Sequence, residues 1–159
     1  MGAMTNLLLK DDANPLVEYT FIPISDTPNP LWRTAVSSVP FEGQMRLSCT
    51  SEVVKSGDYK YTVKLEVPVM ETLGASGTSA GYVAPPKVAY VNTAIFTMFS
   101  SARATRQDRA NLLKLIQAFL SGGSSTTVTG VLDGASAADA WKNSTLPAPQ
   151  IFVDGIIPN

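Results

Sequence analysis

The sequence predicts an α+β fold, with an N-terminal β-hairpin and a five-stranded antiparallel sheet followed by C-terminal helices. Three observations carry this expectation. Met45 to Val54 and Tyr59 to Val69 are apolar–polar alternating segments joined by Lys55-Ser56-Gly57-Asp58, a short polar connection whose glycine suits a hairpin turn. Strand-like composition persists to Ser100, and from Thr105 the apolar spacing changes from the period of a strand to that of a helix. A length of 159 residues fits one domain around one core. The expected organisation is a single domain over 1–159, with a hairpin region at 1–15, the sheet at 16–100, a helical region at 105–132 and an extension at 135–159.

Leu16 to Ile24 is rich in β-branched and aromatic residues, and Asp11-Asp12-Ala13-Asn14-Pro15 before it supplies turn chemistry for pairing with Asn6 to Leu9. Pro23 lacks a backbone N–H, so it predicts an edge or a bulge at that strand's end. Asp26 to Pro30 forces a loop before a further strand at Leu31 to Ser37. In Tyr59 to Val69, the residues Tyr59, Tyr61, Val63, Leu65, Val67 and Val69 alternate with Lys60, Thr62, Lys64 and Glu66, which predicts one apolar and one polar sheet face. Met45, Leu47 and Cys49 share that parity, against Arg46, Ser48, Thr50 and Glu52. Glu71 to Lys87, rich in Gly, Ser and Ala, reads as a long functional loop, and Val88 to Ser100 completes the sheet.

Thr105 ahead of Asp108 predicts a capped helix start, with Leu112, Leu115, Ile116, Phe119 and Leu120 on one face and Gly122-Gly123 as the stop. That face should lie on the apolar side of a sheet. Thr127 to Leu132 reads equally as a helical turn or a strand, and Ala135 to Trp141 is compatible with helix. Leu146 to Pro149 is expected to break the chain, with a short strand possible at Gln150 to Ile157.

Composition removes several function classes. The sequence has no histidine, which excludes a Ser-His-Asp triad, a Cys-His pair and imidazole-held zinc. The lone Cys49 cannot form an internal disulfide, and its parity makes it a small core hydrophobe. A net charge of -1 means that any nucleic-acid site must be a local cluster. No apolar run reaches the ~20 residues needed to cross a bilayer, and the start lacks a signal-peptide pattern. Asp11, Asp12, Asp26, Asp108 and Asp133 fall in turns or near helix ends, where capping accounts for them. No acidic pair is placed for acid–base catalysis, so the chain is expected to be no enzyme, with no cofactor, no metal and no small-molecule substrate. Trp32 and Trp141 read as core or interface anchors.

The segment Lys60 to Pro68 (KYTVKLEVP), with Tyr90-Val91-Asn92 and the helix from Thr105 to Leu120, resembles the coat proteins of small single-stranded RNA bacteriophages, the leviviruses. The resemblance runs from about Met45 to Leu120 with the same order of strand pair, long loop, strand and helix. It implies a homodimer in which the strands of the two chains form one continuous ten-stranded sheet, clasped by helices from each partner. It also implies assembly into an icosahedral shell, with the loop at Glu71 to Lys87 adjusting at the symmetry axes. The expected location is the virion, and the bacterial host cytoplasm during assembly.

The resemblance further implies that the inward sheet face binds a genomic RNA hairpin, for packaging and for translational repression, through Ser48, Thr50, Lys60, Thr62, Lys64, Tyr90 and Asn92. The chemistry of each suits the role: the lysines meet phosphates, the hydroxyls reach unpaired bases, Tyr90 offers a stacking ring and Asn92 an amide. Read alone, the same polar stripe is an ordinary solvated face and Tyr90 an edge aromatic. Glu52 departs from the family pattern, because it stands where the coliphage protein carries an arginine and should repel a phosphate. A non-assembling RNA-binding regulatory module is the alternative reading, and its mark would be RNA affinity in a stable monomer.

Overall fold

The computed structural model describes residues 4–71, 86–122, 132 and 140–157. The strands are β1 (Leu7–Lys10), β2 (Glu18–Ser25), β3 (Leu31–Thr34), β4 (Arg46–Val53), β5 (Tyr59–Met70) and β6 (Val88–Ser100). The helices are α1 (Arg106–Leu120) and α2 (Pro147–Phe152), with single 3₁₀ turns at Phe41–Gly43 and Trp141–Asn143. All six strands form one sheet in sequence order, so the predicted hairpin and the predicted sheet are continuous. By internal contacts the chain divides into one unit of Met1–Leu7 with Thr20–Ser101 and a second of Leu8–Tyr19 with Ala102–Asn159.

In the first unit, β4 and β5 pair antiparallel from Arg46↔Glu66 to Val53↔Tyr59. Their turn closes with the Val54 N–H donating to Asp58 O at 2.9 Å, and Gly57 takes φ +85°, a conformation that costs a side-chain-bearing residue about 1 kcal/mol or more. Pro23 behaves as its chemistry requires: the β2–β3 register slips between Pro23 and Ser25, leaving a bulge where the ladder donor is missing. β3 ends at Thr34, short of the expected Ser37. There the Thr34 hydroxyl accepts the Met45 N–H at 3.0 Å, and the chain turns away, with the Val39 N–H donating to Val36 O at 3.1 Å. Phe21 is buried on β2, opposite Thr34. β5 and β6 pair over nearly their whole lengths, and the Glu71 N–H donates to Lys87 O at 2.8 Å to close the base of the following connection. The intervening residues of the expected adaptable loop, 72–85, lie outside the described residues.

In the second unit, α1 starts as its sequence dictates. The Thr105 hydroxyl accepts the Asp108 N–H at 3.2 Å, and the Asp108 carboxylate accepts the Thr105 N–H at 2.9 Å. Aspartate thus does the work usual for Glu or Gln in a capping box. The Thr105 side chain, together with its backbone N–H, holds the Asp108 carboxyl below its ordinary value. Gly122 ends α1 at φ +77°, and a side chain there would overlap Leu146. Asp11 and Asp12 are both turn residues, as expected. The Asp11 carboxylate accepts the Val17 N–H at 2.9 Å and the Ala13 N–H at 3.1 Å. Asp12 accepts the Trp141 N–H at 2.7 Å and the Lys142 N–H at 3.0 Å, fixing the later segment to the N-terminal turn.

The tail corrects the expectation of a break at Leu146 to Pro149 and of a strand beyond it. Pro147 opens α2, because the first position of a helix needs no backbone donor and favours the proline φ. Ala148 and Pro149 are buried, and Gln150 belongs to this helix. Trp141 lies in a 3₁₀ turn, whereas 123–131 and 133–139, which include most of the undecided segments, lie outside the described residues.

Candidate nucleic-acid interface and the exposed sheet edge

Residues directly opposite each other in a ladder share a face, so register decides which candidate residues meet. Ser48 opposes Lys64, Thr50 opposes Thr62, and Glu52 opposes Lys60. These form one polar surface, and the Thr62 hydroxyl continues it across to Thr97 on β6 at 3.3 Å. Ser48, Thr50, Lys60, Thr62 and Lys64 therefore come together as expected.

Tyr90 and Asn92 do not join them. Val67 opposes Asn92 and Val69 opposes Tyr90, so both lie on the opposite face with Tyr61, Val63 and Leu65. The register is unbroken through these pairs and slips only beyond Val69. Across β6, the residues that share the lysine face are Val91, Thr93, Ile95, Thr97 and Phe99, which oppose Pro68, Glu66, Lys64, Thr62 and Lys60. The Tyr-Val-Asn tripeptide is thus one residue out of phase with the surface to which the sequence assigned it. A one-residue offset exchanges the two faces.

Charge on this face is partly compensated. Lys60 Nζ lies 3.6 Å from Glu52 Oε2, and Lys64 Nζ lies 2.8 Å from Glu66 Oε1. All four side chains are partly solvated, so each pair contributes at most ~1 kcal/mol and exchanges readily for another anion. Glu52 therefore neutralises a lysine as well as occupying the position of an expected cation.

The sequence placed Arg46 on the polar face, as a cation that could offset Glu52, but gave no sign of Arg33 and Phe41 beside it. Arg33 opposes Arg46 across β3–β4, placing both on the lysine face, with their guanidinium carbons 4.5 and 5.3 Å from the centroid of the Phe41 ring. The parity of Arg46 was legible, but the β3–β4 register that brings Arg33 beside it was not. On the other face, half-buried Cys49 opposes Val63, and burial raises its thiol pKa.

The second feature is the edge. β6 is the last strand of the sheet and pairs only with β5 among the described residues. It is exposed on both sides, with Ile95 and Phe99 each 62% accessible on one face and Tyr90 58% accessible on the other. No residue of α1 is buried, and Leu112, Leu115 and Phe119 of its apolar face are exposed. Long unpaired edges and apolar patches of this kind mark surfaces made for association. No group of three or more His, Cys, Asp or Glu among the described residues could hold a metal ion.

Comparison with known proteins matches this arrangement to one family. No curated protein sequence matches the chain. Among solved structures, the virus-like particle of bacteriophage EMS014 is 44% identical with a TM-score of 0.88, over 99% of this chain and 100% of that one. A second structure, the bacteriophage EMS014 coat protein, is 43% identical with a TM-score of 0.85, over 99% and 100% of the two chains. An unassembled virus coat protein dimer, a bacteriophage RNA-binding dimer, shares the fold at 18% identity and a TM-score of 0.50, over 76% of this chain and 87% of that one. The levivirus coat protein model matches residues 2–138, and with the antiparallel sheet, its exposed last strand and the helices that follow, the chain belongs to the levivirus coat protein family.

Proposed function

We propose that this viral coat protein dimerises through β6, assembles from dimers into an icosahedral shell, and presents its lysine-bearing sheet face to a hairpin of the genomic RNA. The protein is structural, as its family is, and the virion is its proposed location, with assembly in the host cytoplasm. The observation that carries the reading is the edge strand, which spans Val88–Ser100 and is largely exposed on both faces. A second copy of β6 supplies what it lacks: hydrogen-bond partners along the edge and cover for the apolar side chains. Exposed Leu112, Leu115 and Phe119 on α1 need the same cover. Particle and dimer structures of relatives support both steps.

For RNA, the support is the shared face of Ser48, Thr50, Lys60, Thr62 and Lys64, which combines phosphate-pairing cations with hydroxyls suited to unpaired bases. Register removes Tyr90 and Asn92 from this set and offers Thr93 and Thr97 in the corresponding places. Bound to a hairpin that contains a gene start, such a face both marks the genome for packaging and blocks translation.

Electron microscopy of the purified chain tests assembly, with closed shells expected. Small discrete species at every concentration and salt would count against it, and RNA affinity in a stable monomer would favour a regulatory module instead. RNA recovered from particles tests the face. Lys64→Ala should weaken its binding several-fold while dimers persist, and unchanged affinity would refute the lysine assignment.

A further inference from the structure

The cations of the lysine face fall into two classes. Lys60 and Lys64 each meet a carboxylate, at Glu52 and Glu66. Arg33 and Arg46 form no salt bridge among the described residues, although they stand directly opposite each other, where like charges repel. The Nε of Arg33 is buried without a hydrogen-bond partner among the described residues. An unpaired buried donor on a guanidinium is costly unless a ligand engages it. The arginines share only the Phe41 ring, which both approach at cation–π distance and which remains 57% exposed.

The ring sits on a fixed turn. The Gly43 N–H donates to Pro40 O at 2.9 Å, and the Gln44 amide donates to Val39 O at 3.2 Å. A side chain at Gly43 would meet the Met70 sulfur and a Val39 methyl, so the turn seats closely against β5 and a larger residue there requires those side chains to shift. An exposed aromatic beside two guanidiniums that form no salt bridge among the described residues, Arg46 having Glu66 opposite it across β4–β5, combines a flat stacking surface with two anion-pairing forks.

We infer that Arg33, Phe41 and Arg46 form a nucleotide platform: an unpaired base of single-stranded RNA stacks on the ring and guanidinium plane, and flanking phosphates pair with the two arginines. This rests on the reading that the lysine face meets RNA, and it names where the unpaired part of that RNA is held. Arg46 lies two residues from Ser48 on β4, roughly 7 Å along the strand, so one RNA chain spans the platform and the lysine stripe. It also accounts for Glu52. The carboxylate neutralises the β4 end beside Lys60, and the excess positive charge moves to the Arg46 end.

The test measures binding of a labelled single-stranded oligoadenylate to the purified full chain dissociated from shells, where the lysine face is accessible, across a salt series, with sedimentation confirming that each variant and the parent share one oligomeric state. Phe41→Leu should weaken binding about tenfold with little change in salt dependence, because one stacking contact is lost and no charge. Phe41→Tyr should restore it. Arg33→Gln should lower the slope of log K against log salt by about 0.7, the value for one phosphate contact on a single strand.

Parental affinity and slope in both Phe41→Leu and Arg33→Gln, with loss in Lys60→Ala/Lys64→Ala, would overturn the platform and leave the lysine reading intact. The reverse pattern would support the platform and remove the lysines. Parental behaviour in all variants would reject both. Displacement of the oligonucleotide by polyglutamate of equal charge, with no effect of Phe41→Leu, would overturn the platform in favour of an acidic protein ligand.

Discussion

Leu115 is the sharpest probe of the covered face. It projects from α1 with 69% of its surface accessible, in a helix with no buried residue. Complete burial of a leucine side chain stabilises by ~1.5–3 kcal/mol, so covering the accessible share in a dimer contributes about 1–2 kcal/mol per protomer. In a symmetric pair the effect doubles to roughly 2–4 kcal/mol, a factor of about 30 to 700 in the dissociation constant. Leu115→Gln removes this gain while nearly preserving helix propensity. Sedimentation equilibrium over a range of concentrations should show the dimer dissociating at correspondingly higher protein concentration. Lys114→Gln, one position away and off the apolar face, should leave the constant unchanged. A Leu115→Gln constant within twofold of the parent would show that this face stays in water in the assembled protein, and the proposed clasp would fail with it.

Two further outcomes follow from the second unit. Asp12→Ala removes the carboxylate that accepts the Trp141 and Lys142 N–H groups, and should cost about 1–3 kcal/mol and speed proteolytic cleavage near residue 141 without altering β4 and β5; unchanged cleavage would show that the segment is held by other contacts. The Asp11 carboxyl lies below its ordinary value, chiefly because it accepts the Val17 N–H, so its contribution to stability is full above about pH 4 and is lost as pH falls through the lowered value. Thermal denaturation between pH 5 and 3 should therefore fall less steeply in Asp11→Asn than in the parent, and parallel curves would assign the acid sensitivity to other carboxylates.

The sheet was legible where alternation was strict. Tyr59 to Val69 announces its two faces residue by residue, and the strand at Val88 to Ser100 matches expectation at both ends. α1 was equally open, because Thr105, Asp108 and Gly122 are local signals with local causes. The site was less so. Period fixes parity within one strand, but the phase between β5 and β6 depends on a connection whose length carries no register information, and Tyr90 and Asn92 were assigned to the wrong face for that reason. Arg33 and Phe41 escaped notice because one lies on a short strand and the other in a turn, and only the fold brings them beside Arg46. The proline-rich segment near residue 147 misled in a different way: proline stops a helix that precedes it and starts one that follows, and composition alone does not say which.

The strictly sequential order of β1 to β6 bears on how the chain is made. Each strand adds beside the one synthesised just before it, so loop closure stays inexpensive and the ladder grows in step with translation. On the growing side of the sheet the rim is the newest strand, which the next one then conceals, while β1 stays the opposite edge throughout. β6 is the strand on the growing side that no later strand of the sheet conceals, and α1 follows it within a few residues. A nascent chain built this way completes its long adhesive border at β6 last, when the strands before it are already paired.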